Sequence, residues 1–511
     1  MRIFNGKALL LKLRNPFKVI EAIPKSRKLS AHDIVVNWGL EEAQTLKDLN
    51  INVPSPIHRQ YTWPGNHKPF SHQKTTASFF TINKKSFCFN EQGTGKTASA
   101  IWASDYLMKE GKVDRVLVIC PLSIMDSAWG ADLFNFAPHR TVDIAYGTAS
   151  KRKKIINNNA DFVIINYDGV EIVSDEIKKG GFNLIIIDEA THYKNAQTKR
   201  WKTLNKIVQD NTWLWMMTGT PAAQSPLDAY GLAKLVNPKS VPRFFGSFRD
   251  MVMNKVTQFK WVPKANAKEI VFNALQPAIR FTKDECLDLP PMIYVKREVE
   301  LTRQQIKYYK LLKTKLIMNI TGEQVTAMNS AVGMNKLLQI SAGAVYTDDG
   351  ETLEFDIQHR YKVLKEVIDE SSKKVLVFVP FKHVIDILTD KLRADGIATN
   401  IIRGDVSAPQ RTAIFKQFQE TDSPRVLVIQ PQAAAHGVTL TAANTVVWWS
   451  PTSSLETYAQ ANARVHRSGQ THKCTVVQLQ GSAAEKHVYR LLDNKIDVHT
   501  KIIELYKELL D

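Results

Sequence analysis

A lysine that follows two closely spaced glycines is the first residue whose type and position suggest chemistry. In 86-SFCFNEQGTGKTASA-100 an apolar strand runs into a loop with Gly93 and Gly95, and a predicted helix then begins near Lys96. Such a loop curls its backbone N–H groups round phosphate oxygens, and the helix N-terminus adds positive potential. We therefore predict a nucleoside triphosphate site, with Lys96 on the β- and γ-phosphates and the Thr97 hydroxyl on Mg²⁺.

The loop departs from the strict phosphate-binding pattern at its first position. Asn90 stands six residues before the lysine, where the general pattern has glycine. A strand–turn–helix with incidental glycines is the alternative interpretation. The strand, the GKT sequence and the motif described next favour the phosphate-binding interpretation.

Two adjacent carboxylates form the second candidate group. In 184-LIIIDEATHYKN-195 an apolar run ends in Asp188 and Glu189, so both should lie at the carboxyl end of a strand, where α/β proteins bind ligands. We expect Asp188 to hold Mg²⁺ and Glu189 to orient and activate the attacking water. A solvated strand end is the alternative, and the upstream GKT sequence favours the catalytic interpretation.

Two arginines three residues apart form the third group. In 460-QANARVHRSGQ-470, Arg464 and Arg467 should share one face of a helix that Gly469 ends. An arginine supplied from a second lobe stabilises the charge that develops during phosphoryl transfer, an effect worth about 10³–10⁵ in rate. The alternative is a solvated helix face paired with acids such as Glu456.

Short apolar runs predict the strands that must carry these groups. Continuous β-branched runs of this length suit parallel strands buried on both faces, and they occur at 116–120, 162–166, 184–188, 214–220, 375–379, 426–430, 445–449 and 475–479. Amphipathic stretches such as 96–109 lie between them. The fold class is therefore α/β, with two doubly wound parallel-sheet lobes and helical insertions.

The lobes set the predicted domain boundaries. Residues 67–295 form the first lobe with a helical extension, 296–511 the second, and 302–342 should be helical. Residues 1–66 form a small basic accessory domain, a candidate DNA contact. Its first 31 residues hold one acid, Glu21, and eight basic residues: Arg2, Lys7, Lys12, Arg14, Lys18, Lys25, Arg27 and Lys28.

Composition narrows the class of partner. The formal net charge is +18, which favours a polyanionic partner such as nucleic acid over a merely basic protein. The basic run 151–154 is interpreted as a solvated loop. No apolar run approaches ~18 residues, so no membrane helix is expected. The four cysteines lack CxxC spacing, which indicates free thiols in a reducing compartment.

Taken in order, the motifs resemble those of the Swi/Snf-type helicase-like ATPases of helicase superfamily II. The resemblance covers about residues 68–495. It rests on NEQGTGKT, VLVICPLSIMDSAW, FVIINYD, IIIDEATHYKN, MMTGTPAAQSPLDAYGL, AAAHGVTLTAANTVVWWSP and QANARVHRSGQ, of which the last is the most diagnostic. Asn90 stands where this family usually has Asp.

The resemblance implies two RecA-like lobes, ATP and Mg²⁺ as cofactors, and ATP hydrolysis stimulated by duplex or branched DNA. Beyond Lys96, Thr97, Asp188, Glu189 and the two arginines, it implies that Gln73 reads adenine. The further nucleotide contacts expected are Gln92, Gly93, Thr94, Gly95, Ala98, Gly437 and Gln460. Thr218 and Thr220 should couple hydrolysis to lobe movement, and the candidate DNA contacts are Ser123, Asn166, Tyr167, Thr439 and Thr441.

These features predict a DNA-dependent ATPase that translocates along DNA and remodels branched DNA or displaces bound proteins. The size resembles compact phage and bacterial members, which implies a monomer in a bacterial or phage-infected cytoplasm, associated with the nucleoid. No membrane contact is expected. Two alternatives remain open: a strand-separating DNA or RNA helicase, and an ATP-gated DNA clamp without catalysis.

Overall fold

The computed structural model describes residues 1–65, 67–219, 225–257, 261–286, 289–322, 327–346, 351–434, 438–467 and 469–494. The chain divides into two compact units, Met1–Leu287 and Asp288–Asp511. Each contains a parallel sheet with helices, which confirms the predicted α/β class.

The first unit is built on a sheet of seven parallel strands. In sheet order these are Ala278–Ile279, Lys85–Cys88, Trp213–Met217, Leu184–Asp188, Val116–Cys120, Phe162–Asn166 and Val142–Ala145. The four runs predicted as strands in this half all form strands here, the last ending at Met217, and every residue of those strands is buried. An apolar core covers each face of the sheet, so these strands are apolar except at their terminal residues Asn166 and Asp188.

Helices cover both faces of this sheet and extend beyond it. They are Phe17–Ala22, Leu40–Asp48, Ile57–Gln60, Ser71–Ile82, Lys96–Lys109, Ala131–Phe136, Ala149–Ile156, Tyr167–Ile172, Ser174–Lys179, Lys199–Ile207, Ala229–Val236, Phe245–Val252, Ala267–Ala274 and Lys283–Cys286. Single turns of 3₁₀ helix occur at Leu122–Ile124, Ala190–Tyr193, Pro226–Asp228 and Pro238–Ser240, and a π-helical turn at Met125–Gly130. A hairpin pairs Met253–Lys255 with Trp261–Pro263.

The second unit has a sheet of six parallel strands. In sheet order these are Met292–Glu298, Cys474–Gln480, Ala443–Trp448, Lys374–Phe378, Val426–Ile429 and Thr399–Ile402. All four runs predicted as strands in this half form strands. The strand Met292–Glu298 spans the predicted boundary between 295 and 296. Apolar cores again lie on both faces.

The helices of the second unit include the predicted helical stretch at 302–342. They are Arg303–Gly322, Ala327–Ala342, Gln358–Glu370, Lys382–Ala394, Ala408–Glu420, Leu455–Asn462 and Ala483–Asp493, with a 3₁₀ turn at Pro431–Ala434. A hairpin pairs Ala344–Tyr346 with Thr352–Glu354.

The N-terminal residues form a small antiparallel sheet that sequence reasoning missed. Its strands, in sheet order, are Arg2–Phe4, Ala8–Lys12, Asp33–Asn37 and Arg27–Lys28. Alternate residues Leu9, Leu11, Ile34 and Val36 are buried against the helices that follow. Burial alternates along ALLLK and DIVVN, but each sequence has at least three successive apolar residues, so no period-2 pattern marked these short strands.

The cysteines are all free thiols, and Cys88, Cys120 and Cys474 are buried. Across the described ranges, the structure contains no helix long and apolar enough to cross a membrane.

A buried ion pair joins three segments of the second unit. Arg360 donates to both carboxylate oxygens of Glu485 at 2.8 and 2.7 Å, and the two side chains are 3% and 0% exposed. Glu485 also accepts the backbone N–H of Gly481 at 2.7 Å, and Arg360 donates to the carbonyl of Trp449. Both oxygens of the carboxylate therefore accept hydrogen bonds.

We expect Glu485→Gln to lower the free energy of unfolding of the second unit by about 3–5 kcal/mol, because it leaves the Arg360 cation buried without its counter-ion. Urea unfolding followed by circular dichroism measures the shift. The control is Glu298→Gln, which removes an exposed partner of Lys486 and should change the unfolding curve little. Equal curves for the two variants would contradict the prediction.

Candidate nucleotide-binding site

The carboxyl edge of the first sheet brings the two principal motifs together. Met217 pairs with Cys88 on one side and with Asp188 on the other. Adjacent strands are about 4.8 Å apart, so the phosphate-binding loop starts about 10 Å from Asp188. The structure therefore places both predicted groups on one edge of one sheet.

The glycines of the loop have the backbone conformation that a curled loop requires. Gly93 and Gly95 have φ values of +84° and +79°, in the left-handed region that disfavours side chains. A Cβ at Gly95 would also overlap the Nε2 atom of Gln73. Gly95 is thus required both by its backbone conformation and by close packing against the helix Ser71–Ile82.

Lys96 begins the helix Lys96–Lys109, as predicted. Its Nζ donates to the carbonyl oxygens of Asn90 at 3.0 Å and Glu91 at 3.4 Å, so the ammonium lies over the loop. Phosphate oxygens are stronger acceptors of the same kind. Thr97 is half-buried in the first helical turn. A cation, left-handed glycines and a helix N-terminus together fit a polyphosphate.

Asn90 has a structural reason to be an amide. It is buried, its Oδ1 accepts the Phe281 N–H at 3.0 Å, and its Nδ2 donates to the Thr76 hydroxyl at 2.9 Å. An amide can accept and donate at once, whereas an ionised carboxylate can only accept. Asn90 thereby connects the start of the loop to two neighbouring segments. This accounts for an amide at the position where the family usually has Asp.

Gln73 lies against the loop but its side chain also caps a helix. Its Oε1 accepts the Phe70 N–H at 2.9 Å, and its Nε2 lies 3.5 Å from the carbonyl oxygen of Thr94. The neighbouring His72, which sequence reasoning missed, donates from Nε2 to the same carbonyl at 2.8 Å. Burial lowers the pKa of His72. The adenine-reading role of Gln73 stays a prediction.

Asp188 is fixed by three hydrogen bonds at the end of its strand. The Trp129 indole N–H donates to Oδ2 at 3.0 Å, and the Glu189 backbone N–H donates to Oδ1 at 3.1 Å. The Tyr167 hydroxyl donates to the Asp188 carbonyl at 2.6 Å. Burial raises the pKa of Asp188, while the Lys96 cation and these N–H donors oppose the rise. Sequence reasoning did not identify Trp129, because its partner lies 59 residues away.

The remaining first-unit candidates surround this edge. Thr94 is buried and its hydroxyl donates to the Glu91 carbonyl at 2.7 Å, Ala98 is buried and Gln92 is half-buried. Thr218 is buried, and its N–H donates to the Cys88 carbonyl at 3.0 Å. Thr220 lies outside the described residues.

The candidate DNA contacts of the first unit follow neighbouring strands. Ser123 lies in the turn Leu122–Ile124, and its side chain is outside the described part. Asn166 and Tyr167 are buried, and the Asn166 Oδ1 accepts from Arg152 at 2.9 Å.

The interpretation of 151–154 as a solvated loop is wrong, because the run lies in the helix Ala149–Ile156. Arg152 and Ile156, four residues apart, face inward, while the lysines between them stay on the outer side of the helix.

The helix predicted to carry the two arginines ends before them. Leu455–Asn462 is helical, and residues 463–467 form turns. The seven residues from 460 to 466 are all buried, so they form no solvated face: Gln460, Ala461, Asn462, Ala463, Arg464, Val465 and His466. The chain instead folds back, and the Leu440 N–H donates to the Arg464 carbonyl at 2.9 Å.

The two arginines differ in exposure but contact the same segment. Arg464 is 2% exposed and donates to the Val438 carbonyl at 3.3 Å. Arg467 is half-buried, with Nε on the Ala463 carbonyl at 3.1 Å and Nη1 at 3.4 Å from the Thr439 hydroxyl. The structure thus brings the arginines and Thr439 together within the second unit.

Other candidate residues of the second unit form hydrogen bonds with residues of the same unit. The Thr441 hydroxyl accepts from Gln419 at 3.0 Å, and Gln460 donates to Glu456 at 3.0 Å. Gly437 lies outside the described residues.

The family follows from the domains that match this chain. The SNF2-related domain matches residues 36–343, more than half of the 511 residues. The chain belongs to the SNF2-related family. The helicase conserved C-terminal domain matches residues 359–469, which include both arginines. The predicted family and the predicted enzyme class, a helicase-type ATPase, are confirmed.

Curated relatives of this SNF2-related chain come from distant organisms. It is 25% identical over 427 residues to the SWI/SNF-related matrix-associated actin-dependent regulator of chromatin subfamily A-like protein 1 of Drosophila melanogaster, covering 81% of this chain and 53% of that protein. It is 25% identical over 426 residues to an uncharacterized ATP-dependent helicase of Mycoplasma genitalium, covering 81% and 40%. The chain therefore spans about half or less of these relatives' length.

Among solved structures, the chain is similar to the Sulfolobus solfataricus SWI2/SNF2 ATPase core in complex with dsDNA. The identity is 22%, the TM-score is 0.42, and the match covers 87% of this chain and 96% of that one.

Proposed function

We propose that this SNF2-related chain hydrolyses ATP to translocate along duplex DNA and to remodel branched DNA. The observation that carries the proposal is the shared edge of the first sheet, where the strand that leads into the loop before Lys96 lies two strand spacings from the strand that ends at Asp188. That arrangement provides a cation for the phosphates and a carboxylate for the attacking water within the reach of one triphosphate.

Each residue of this edge has a separate role in the proposed reaction. Lys96 binds the β- and γ-phosphates together with the loop N–H groups. Glu189 orients the water that attacks the γ-phosphate and accepts its proton. Thr97 and Asp188 supply the oxygen ligands that Mg²⁺ prefers. The metal, when bound, neutralises phosphate charge.

In this scheme the second unit supplies the arginines. Arg467 and Arg464 are the proposed source of the positive charge that stabilises the transferred phosphoryl group. The proposal therefore makes hydrolysis depend on arginines of the second unit and thereby couples ATP turnover to movement along DNA. Thr439, next to Arg467, is a proposed DNA contact on the same segment.

The decisive measurement is the ATPase rate with single-stranded DNA, linear duplex, a four-way junction and RNA. We expect the largest stimulation with the junction, followed by linear duplex. Equal stimulation by all four, or stimulation by RNA alone, would rule out the proposal. Stimulation by single strands with unwinding of tailed duplexes would favour a strand-separating helicase.

The proposed preference for branched DNA is supported by a basic surface on the N-terminal sheet. The outer face of this sheet carries Arg2, Phe4, Lys12 and Arg27, together with one acid, Asp33, which lies opposite Lys12. Phe4 is 49% exposed, and all three basic residues are exposed. No described acid forms an ion pair with these basic residues. A second contact of this kind suits DNA with more than one arm.

We expect the double variant Arg2→Glu/Arg27→Glu to weaken binding of a four-way junction. The slope of log affinity against log salt concentration should become shallower by about 0.9 for each phosphate that the variant no longer neutralises. Fluorescence anisotropy over a salt series measures both. The matched control is Lys18→Glu/Lys25→Glu, with the same change in charge on the helix and turn that pack against the inner face. Equally weakened binding in the two variants would indicate a non-specific charge effect.

The proposal extends to the compartment and the oligomeric state of the chain. Free buried thiols support a reducing compartment such as a bacterial or phage-infected cytoplasm. We propose that the chain acts as a monomer, for which light scattering should give a mass near 57.8 kDa.

A further inference from the structure

The indole N–H of Trp129 has an unusual acceptor for this molecule. The structure describes seven indole N–H hydrogen bonds, and five of the donors, Trp38, Trp102, Trp201, Trp215 and Trp449, use backbone carbonyls. Trp448 donates to the Asn462 amide oxygen. Trp129 donates to a carboxylate, Oδ2 of Asp188, at 3.0 Å. A buried indole N–H needs some acceptor, but here the acceptor is the carboxylate at the nucleotide edge.

The local backbone is shaped to deliver this ring. Trp129 is fully buried and lies in the π-helical turn Met125–Gly130, between a 3₁₀ turn and the helix Ala131–Phe136. Single π-helical turns are rare and are often found at functional sites, because they displace a side chain from its α-helical position. The turn follows the strand Val116–Cys120, which is the direct neighbour of the strand that ends in Asp188.

The two hydrogen bonds to Asp188 fix the plane of its carboxylate. Trp129 holds Oδ2, and the Glu189 N–H holds Oδ1. If the indole bond were broken, the carboxylate could rotate about its terminal torsion, which has a broad energy profile. Groups that orient a metal-binding carboxylate in this way contribute about ten- to a hundredfold to metal affinity or activity.

We propose that Trp129 is a positioning residue whose indole N–H orients the Asp188 carboxylate toward the metal-bound nucleotide. This inference rests on the proposed function, because it assumes that Asp188 is a ligand of the metal. It assigns no contact between Trp129 and the nucleotide itself.

The test is Trp129→Phe in the full chain, with Mn²⁺ binding measured by electron paramagnetic resonance in the presence of ADP. We expect the Mn²⁺ affinity to fall about ten- to a hundredfold, while ADP affinity without metal stays at the wild-type value. The Mg²⁺ concentration that half-saturates ATP hydrolysis should rise correspondingly, and saturating Mg²⁺ should restore much of the rate. A purely structural role would change the unfolding midpoint but not the metal dependence.

The matched control is Trp215→Phe. Trp215 is equally buried, and its N–H donates to the Asn83 carbonyl at 3.2 Å. The Trp215→Phe protein should lose about as much free energy of unfolding as Trp129→Phe and should keep the wild-type Mn²⁺ affinity. The inference is overturned if Trp129→Phe binds Mn²⁺ as tightly as this control does. A wild-type chain that fails to bind Mn²⁺ with ADP would instead contradict the proposed function.

A second variant covers the case in which Trp129→Phe does not fold. Benzothienylalanine at position 129 keeps the bicyclic ring and replaces the N–H with sulfur, so packing stays while the donor is removed. Reduced Mn²⁺ affinity in that protein supports the inference, and wild-type affinity overturns it.

Discussion

Glu189→Gln should leave a chain that binds ATP with an affinity close to wild type and hydrolyses it about 10²–10⁴ times more slowly. The amide keeps the size of the side chain but cannot accept the proton of the attacking water. The backbone N–H of Glu189, which donates to Asp188 at 3.1 Å, is unchanged by the substitution. The substitution is therefore expected to reduce the rate of ATP hydrolysis and not the affinity for ATP.

The backbone at Glu189 supports a role that requires a defined side-chain direction. Its φ and ψ are +50° and +58°, in the left-handed region that non-glycine residues adopt at some energetic cost. The Tyr167 hydroxyl donates to the preceding carbonyl at 2.6 Å, which helps hold this conformation. The turn Ala190–Tyr193 follows directly.

The measurement is steady-state ATP hydrolysis with saturating DNA, beside equilibrium binding of a fluorescent ATP analogue. Asp168→Asn is the control, because Asp168 is an exposed acid near the same edge that pairs with Arg200 at 2.6 Å. We expect that control to hydrolyse ATP at nearly the wild-type rate. Normal turnover in Glu189→Gln would contradict the role of Glu189 as the base, whereas lost turnover with intact function would favour an ATP-gated clamp.

The parts of this fold that sequence predicted are those with an all-apolar signal. The strands Val116–Cys120 and Leu184–Asp188 are buried on both faces, so their sequences are apolar apart from the terminal Asp188. Val142–Ala145 and Thr399–Ile402 lie at sheet edges and are partly exposed. Their sequences therefore include polar residues that interrupt the apolar run, and they were not predicted as strands. Local patterns therefore predicted the centre of each sheet better than its edges.

In the candidate site, too, the residues with a local sequence pattern were predicted and those with distant partners were not. The loop before Lys96 and the Asp188–Glu189 pair are contiguous in sequence, so residue type and spacing were sufficient to find them. Trp129 and His72 act through partners 59 and 22 residues away, and no local pattern marks such contacts. The turn conformation at Arg464 was also missed, because its carbonyl accepts from the backbone N–H of Leu440, which lies far away in the sequence.

Arg467→Ala should lower kcat by at least about 10²-fold while ATP binding is retained, because an arginine that stabilises the transferred phosphoryl group acts mainly in the transition state. Its guanidinium is half-buried and makes longer contacts, 3.1 Å to the Ala463 carbonyl and 3.4 Å to Thr439. These bonds are weak enough to be exchanged for phosphate oxygens, which bind guanidinium more strongly.

Arg464→Ala should reduce turnover and also destabilise the second unit. Arg464 is 2% exposed and donates to the Val438 carbonyl, so its removal leaves a cavity and a half-buried carbonyl without this donor. A decrease of about 1–3 kcal/mol in the free energy of unfolding is expected. Arg467→Ala should show no comparable decrease. The pair of variants thereby separates a transition-state effect from a structural one.

The comparison requires kcat, nucleotide affinity and urea unfolding for each variant, with Arg467→Lys as a third protein. Lysine keeps the charge but not the planar, bidentate geometry, so it should recover only part of the rate. If Arg467→Ala turns over ATP normally and Arg464→Ala does not, the phosphate-contacting role belongs to the buried arginine. Arg464 would then have to give up its bond to Val438 for each catalytic cycle, and the segment at 438–441 that both arginines contact would move with it.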